Sequence, residues 1–230
     1  IWGADVGRLF TALGITSIVL GLALQNSVGQ IISGLLVLFE QPFRLGDWVD
    51  TPSARGRVVE VNWRATHIDT GTGLQITPNS VLAGASFTNL SRPDGKHTAE
   101  VVTVFAHDDP PDRVCALLTR AASELPLCDP DRSPSTVPFG GLQYKTKIPL
   151  KSPAEDAKAT AMFRRWIWYA ARREGLHLDE ADDTFSNPEL VEEGIRRVVG
   201  PTFRLSHDEH QDLVEHARIE FFGDGERILR

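Results

Sequence analysis

The strongest pattern in the chain lies in its first forty residues. From Leu9 to Phe39 there is no Asp, Glu, Lys, Arg or His. As an α-helix, such a run of roughly 31 residues is near 46 Å long, against about 30 Å of bilayer hydrocarbon. The length predicts a membrane-spanning first part and a second part that bends away. A helix buried in a soluble core is normally interrupted by charge well before this. Small residues recur at Gly3, Gly7, Thr11, Gly14, Ser17 and Gly21. The three- and four-residue spacing sets them on one side of the helix, where neighbouring backbones can approach closely; Gly7, Gly14 and Gly21 form the expected packing seam. After Gln25-Asn26-Ser27 the pattern changes. Val28, Ile31, Ile32, Leu35, Leu36 and Phe39 make an apolar stripe of helical period, with Ser27, Gln30, Ser33, Gly29 and Gly34 opposite. This predicts an amphipathic helix lying at the membrane interface or on another protein surface. Gln25, Asn26 and Gly29 mark the expected bend. Pro42 stops the helix, and Glu40 and Arg44 return the chain to water.

From Trp48 to about Ser91 the pattern shortens to strands and turns. Residues 57–62, 67–70 and 74–77 read as strands, Thr70-Gly71-Thr72-Gly73 as a hairpin loop and Pro78-Asn79-Ser80 as a turn. Farther on, 98–106 and 143–150 read as strands. Residues 112–125 and 154–174 read as helices, the second containing Trp166, Trp168 and Tyr169. Strand–helix–strand–helix predicts a split α/β layer.

Composition narrows the function. The formal net charge of −7 gives no support to a nucleic-acid partner, which calls for a basic patch. Two cysteines, Cys115 and Cys128, are too few for a disulfide framework. The chain opens at Ile1 directly into apolar sequence without the basic start of a signal peptide, which suggests a piece of a longer protein. No nucleophile–base constellation is present, so the chain is not expected to be an enzyme. His207, His210 and His216 lack the closed ligand set that zinc requires. His107-Asp108-Asp109 reads as a strand end leading into a helix, Cys115 as core, and Gly71-Thr72-Gly73 lacks the Lys-Ser/Thr of a phosphate loop.

An ordered series of motifs carries a family resemblance. Gly21-Leu22-Ala23-Leu24-Gln25, Gly34-Leu35-Leu36-Val37, Pro42-Phe43-Arg44-Leu45-Gly46-Asp47, Gly56-Arg57-Val58-Val59-Glu60-Val61, Thr77-Pro78-Asn79-Ser80 and Asn89-Leu90-Ser91-Arg92 follow one another over residues 10–95. The series resembles the small-conductance mechanosensitive (MscS) channel family. The resemblance implies a kinked pore-lining transmembrane helix and interfacial amphipathic helix (1–41), a small Sm-like β domain (42–96) and a split α+β vestibule domain (97–185). It also implies a homo-oligomer, a heptamer in the family, in contact with lipid and ions. The setting would be a bacterial inner membrane crossed more than once, with residues after about 42 cytoplasmic and earlier helices outside this sequence. Matched position by position, the family's two apolar constrictions fall on Ile18 and Leu22, and Gln25, Asn26, Gly29 and Gly34 become pore-lining or hinge positions. The chain departs from the family at Asn26, where the best-known members carry a kink glycine; the bend is then expected at Asn26, Gly29 or Gly34.

Beyond a linker at 186–199, inside a Pro- and acid-rich stretch, residues 200–230 read as a helix capped by Ser206 with Glu209, then a strand turning at Gly223-Asp224-Gly225-Glu226. This order resembles the opening of a cyclic-nucleotide-binding domain and, with the pore motifs, the cyclic-nucleotide-gated subgroup. No cofactor is expected; cyclic AMP is the regulatory ligand implied, and its contacts would lie beyond Arg230. The leading expectation is therefore an ion channel biased by cyclic nucleotide. Its rivals are a plain osmotic release channel and a non-conducting, membrane-anchored ligand-sensing scaffold.

Overall fold

The computed structural model describes residues 6–93, 95–181 and 186–228. The chain divides into two compact units, residues 1–95 and 96–230, each taken by itself.

The first unit opens with α1 (Val6–Glu40). Its helical backbone runs unbroken through Gln25, Asn26, Gly29 and Gly34. The expected break is absent because Asn and Gly keep the backbone N–H that a helix needs, at a cost of about 1 kcal/mol or less each. Pro42 lacks that N–H, and the helix ends just before it. There Gln41 turns left-handed (φ 44°) while its N–H still reaches the Val37 carbonyl at 3.1 Å. Then follow β1 (Trp48–Asp50), β2 (Arg55–Val61), β3 (Ala65–Asp69), β4 (Leu74–Pro78), α2 (Asn79–Ala83) and β5 (Thr88–Asn89). The strands form one antiparallel sheet in the order β4-β3-β2-β1-β5. The loop at 70–73 joins β3 to β4 as the sequence predicts. Pro78-Asn79-Ser80, expected as a turn, instead starts α2, with Pro78 at the cap. Val37, Phe43, Val49, Val58, Ile68 and Leu82 make the core, so the last turns of α1 are part of it.

Gly56 shows how closely this sheet is drawn. A Cβ placed there would sit 2.1 Å from the Asp69 carbonyl oxygen, so only glycine lets β2 and β3 approach.

The second unit contains β6 (His97–Val104), α3 (Pro111–Ser123), β7 (Ser135–Gly140), β8 (Gln143–Leu150) and α4 (Asp156–Arg173). The sheet is antiparallel in the order β6-β8-β7. β6 and β8 turn Ala99, Val101, Tyr144 and Ile148 to one face, where α3 supplies Leu117 and Leu118 and α4 supplies Phe163, Trp166 and Ile167. Strand β7 is not evident in the sequence; its Pro138 and Gly140 read as breakers, yet an edge strand tolerates both. The stretch 186–199, expected as a linker, is helical. α5 (Pro188–Gly194) starts where the Asn187 side chain accepts the Leu190 N–H at 2.8 Å. A π-helical turn (Ile195–Val199) and α6 (Gly200–Phe203) continue it to Arg204, which is left-handed. α7 (His207–His216) begins with the Ser206–Glu209 capping box as expected, and the Ser206 hydroxyl and N–H hold the Glu209 carboxyl below its usual range. Residues 217–222, expected as a strand, take no regular structure and have no sheet partner among the described residues.

Both cysteines are free and half-buried, and burial pushes both thiols up. Cys115 packs against the core, as its place on α3 predicts.

Candidate functional site

The site is built on α1, whose two parts have opposite surroundings. From Phe10 to Ile32 the side chains are exposed. A charge-free helix of this length is long and apolar enough to cross a membrane, and only 11% of its most apolar window is buried. Three of the hydroxyls on it are satisfied internally: Thr11, Thr16 and Ser17 donate to the carbonyls of Gly7, Ala12 and Leu13 at 2.8–2.9 Å. This is the arrangement a helix needs where no water is available.

Ile18 and Leu22 lie in this exposed part, 65% and 67% accessible. At about 100° per residue they fall within roughly 40° of one another, and Gln25 and Gly29 join the same face. A Cβ added at Gly14 or Gly21 would meet nothing within 4 Å, so no contact among the described residues requires glycine there. Gly7 is likewise exposed. The small-residue seam and the Ile18/Leu22 pair therefore share one broad side of α1, left uncovered by the described residues of the same chain.

The second part of α1 is anchored. Gly34 and Val37 are buried, whereas Val28, Ile31, Ile32, Leu36 and Phe39 stay exposed. The docked side is thus the side of Gly34 and Val37, away from the Gly7/Gly14/Gly21 seam, and the apolar stripe faces outward. Gly34 fits the choice: a Cβ there would lie 3.3 Å from the Trp63 carbonyl oxygen and 3.5 Å from Asn79 Cβ, so the site is already tight for a methyl group. Asn79 is the pin. Fully buried, it donates from Nδ2 to the Asn62 carbonyl (2.8 Å) and, at 3.5 Å, to that of Gly34; its Oδ1 accepts the Thr66 hydroxyl (2.8 Å), and its N–H reaches the Arg64 carbonyl (2.9 Å). A buried amide is stable only when satisfied in this way.

A second knot holds the chain just after the helix. Asp47 accepts the Arg44 N–H (2.9 Å) and the Asn89 amide (3.0 Å), and pairs with Arg92 at 3.3 Å. Asn89 also donates to the Pro42 carbonyl (3.1 Å), and Arg92 to that of Gln41 (3.3 Å). Ser91 accepts the Trp48 N–H at 2.9 Å. Partial burial pushes the Asp47 carboxyl up, but the Asn89 amide, the Arg44 N–H and the two arginine charges outweigh it and hold it below its usual range. The Pro-Phe-Arg-Leu-Gly-Asp and Asn-Leu-Ser-Arg motifs are therefore two halves of one joint. Sequence reasoning finds both motifs and misses the roles of Asp47, Asn79 and Asn89; the only signal is polar residues placed in short frames beside Pro and Gly.

Elsewhere, Asp108, Asp109 and His177 offer ligand atoms within 4.8 Å of one another. Asp109 spends both oxygens on His177, accepting its N–H (2.8 Å) and contacting Nδ1 (2.9 Å), which ties the lead-in of α3 to the chain after α4. The side chains of His207 and His210 lie outside the described residues, and His216 bonds the Asp212 carbonyl through Nδ1 at 2.9 Å.

Comparison with known proteins agrees with this geometry. Residues 26–92 match the family model described as the β-domain of mechanosensitive ion channels. The small-conductance mechanosensitive channel MscMJ of Methanocaldococcus jannaschii is 31% identical over 137 residues, 59% of this chain and 37% of that protein. The low conductance mechanosensitive channel YnaI of Escherichia coli is 32% identical over 94 residues, 40% of this chain and 27% of that protein. The chain thus spans well under half the length of these relatives, both named as channels and not as enzymes. The closed-state crystal structure of Helicobacter pylori MscS shares the fold, with a TM-score of 0.62 and 18% identity over 80% of this chain and 76% of that one. With an apolar helix running into a β domain of this kind, the chain carries the β-domain of mechanosensitive ion channels over residues 26–92 and is similar in sequence and fold to MscS-family channels.

Proposed function

We propose that the chain forms the pore and first soluble domains of a tension-gated channel, assembled from copies of itself around α1. One observation carries this reading: α1 leaves a charge-free apolar surface exposed over residues 10–32 and builds its last turns into the core of the β domain. Such a helix finds lipid on one side and its own copies on the other. Gly7, Gly14 and Gly21 let neighbouring copies pack. Ile18 and Leu22 then make two apolar rings around the axis, a neck that stops ions by dewetting. Gln25, Asn26, Gly29 and Gly34 continue the lining and supply the places where the helix bends on opening. In this reading the assembly is a heptamer in a bacterial inner membrane, further helices lie outside this sequence, and residues after about 42 face the cytoplasm. Residues 42–96 form the Sm-like domain and 97–185 the vestibule.

The finer reading, in which a cyclic nucleotide biases opening, rests on residues 200–230. The capped helix α7 favours it, whereas residues 217–222 make no strand, so tension comes first and ligand control second. A membrane-anchored scaffold that conducts nothing is the third reading.

Patch-clamp recording of the full-length protein in bilayers decides among them, with tension stepped and cyclic AMP added separately. Tension alone should open the wild type. Replacing Ile18 or Leu22 by serine should raise the open probability at rest at least tenfold. Opening by nucleotide at constant tension would move ligand control to the front. Silence from assembled protein under both stimuli would sink the channel reading.

A further inference from the structure

Phe221-Phe222-Gly223-Asp224-Gly225-Glu226 places two aromatics before a Gly-Asp-Gly turn, pairs with no sheet among the described residues and lies against α4. The contacts are specific. The Trp166 indole Nε1 donates to the Asp224 carbonyl at 3.0 Å. Arg173 donates to the Phe221 carbonyl at 2.7 Å, forms an ion pair with Glu226 and lies 4.2 Å over the ring of Phe222. Glu226 in turn accepts the Gly223 N–H at 2.8 Å, and its own N–H closes the turn on the Gly223 carbonyl at 3.0 Å. Gly223 fills its place completely: a Cβ there would sit 2.8 Å from Trp166 Cδ1 and 3.4 Å from Tyr169 Cδ2. Gly225 takes the left-handed conformation (φ 79°) that the turn requires.

We propose that the face of α4 formed by Trp166, Tyr169 and Arg173 is a docking site for residues 221–226 of this chain, and that the segment is a releasable strap whose state sets the tension needed to open the pore. The second half rests on the channel reading; the first does not. Release is a local event because few groups hold the strap. Among the described residues the polar contacts to it come chiefly from one indole and one guanidinium, with one glycine fit, while Phe221, Asp224 and Gly225 remain exposed. Segments held by so few buried contacts open without global unfolding. Trp166, only 1% exposed with the strap in place, has the strap as part of its cover. Undocking therefore uncovers apolar surface on one of the two helices that complete the core of the unit. The strap follows α7 after residues 217–220, so docking also fixes where the C-terminal segment is held, and two states of the same segment become two settings of the domain.

The test uses the full-length protein in bilayers, with hydrogen exchange and patch-clamp recording on the same preparations. Gly223→Val removes the fit and Arg173→Ala removes the clasp. Asp224→Ala is the control, since the docking uses its backbone carbonyl. The first two variants should speed exchange over residues 219–226 at least tenfold and leave β6 and β8 unchanged; the control should match wild type. Both should shift the midpoint tension of opening in the same direction, with single-channel conductance unaltered. Wild-type exchange over 221–226 as fast as a free peptide would overturn the docking site. Faster exchange with an unmoved midpoint would overturn the gating half. A wild type without current would fail the channel reading instead, and the exchange result would still decide the docking site.

Discussion

Helices α1 and α4 both carry large apolar side chains, and they use them in opposite ways. α4 is interrupted by Asp156, Lys158, Arg164, Arg165, Arg172 and Arg173, and buries Ala159, Phe163, Trp166, Ile167, Ala170 and Ala171 along one stripe. α1 has no charge between Leu9 and Phe39, and among its described residues only Gly34 and Val37 are buried. The more apolar helix is the less buried one. A soluble helix needs a polar face because the far side meets water; a helix that dispenses with charge altogether is not suited to water on any side. Hydrophobicity thus reports the solvent, and periodicity reports the protein partner. α4 has a strong periodic stripe because its partner is the sheet. In α1 the glycines are the small positions, and among them only Gly34 meets another backbone within the described residues.

The glycines give the sharpest way to break this contrast. Gly56→Ala must separate β2 from β3, since its Cβ would meet the Asp69 carbonyl oxygen at 2.1 Å. The cost should be on the order of 4 kcal/mol, with loss of the β domain visible in thermal melting. Gly14→Ala and Gly21→Ala meet no described atom of the subunit and should not lower melting, since alanine is the better helix former. Their effect should appear only as weaker assembly, read by cross-linking of the detergent-solubilised protein. A fall in melting from Gly21→Ala alone would show that α1 packs within its own chain.

Side-chain truncation separates the helices next. Phe163→Ala empties a fully buried position on α4 and should cost about 3–5 kcal/mol in equilibrium unfolding. Ile18→Ser changes a side chain that is 65% exposed and should stay within about 0.5 kcal/mol, while altering the resting open probability. If Ile18→Ser destabilised as much as Phe163→Ala, the exposed surface of α1 would have to be a core in disguise.

The same contrast explains what is legible in the sequence. The span of α1 can be read because charge exclusion is a property of composition along the chain. Strand β8 matches its expected bounds, 143–150, because alternation there is strong. The docked side of α1 cannot be read. Val28, Ile31, Ile32, Leu36 and Phe39 make the obvious stripe, but the β domain takes the Gly34 side, where contact depends on backbone approach and on one amide. Asn79 and Asn187 mislead for a related reason. Next to Pro, asparagine signals a turn and a helix start alike, and only the burial of Asn79 and the Leu190 N–H at Asn187 distinguish them. Residues 217–222 have strand composition without a strand partner among the described residues, and composition alone does not supply one.

Asn79→Ala tests the pin directly. It removes the acceptor for the Thr66 hydroxyl and the donor to the Asn62 and Gly34 carbonyls, leaving buried groups unsatisfied. A loss of about 2–3 kcal/mol is expected, smaller than for Phe163→Ala because no large cavity opens. It should come with faster hydrogen exchange in residues 33–38 and no change in α4. Equal exchange in residues 33–38 would mean that Val37 alone anchors the helix.

The smallest effect expected is at Asp47, and it is a dependence on pH. The carboxyl is held below its ordinary range by the Asn89 amide, the Arg44 N–H and Arg92, against the upward push of partial burial. A carboxyl whose pKa is lower folded than unfolded stabilises the fold at pH above its unfolded value, about 3.9, and loses that contribution as pH falls through the folded value. Melting of the wild type should therefore decline more steeply below about pH 4 than that of Asp47→Asn, which keeps the shape and cannot titrate. At neutral pH the variant should already be slightly weakened, since the Arg92 pair and the acceptor for the Arg44 N–H are impaired. α1 offers no such handle over residues 9–39, having no titratable group there. An acid response that survives unchanged in Asp47→Asn would place its origin outside the joint, and the two motifs that meet there would then be held by their neutral hydrogen bonds alone.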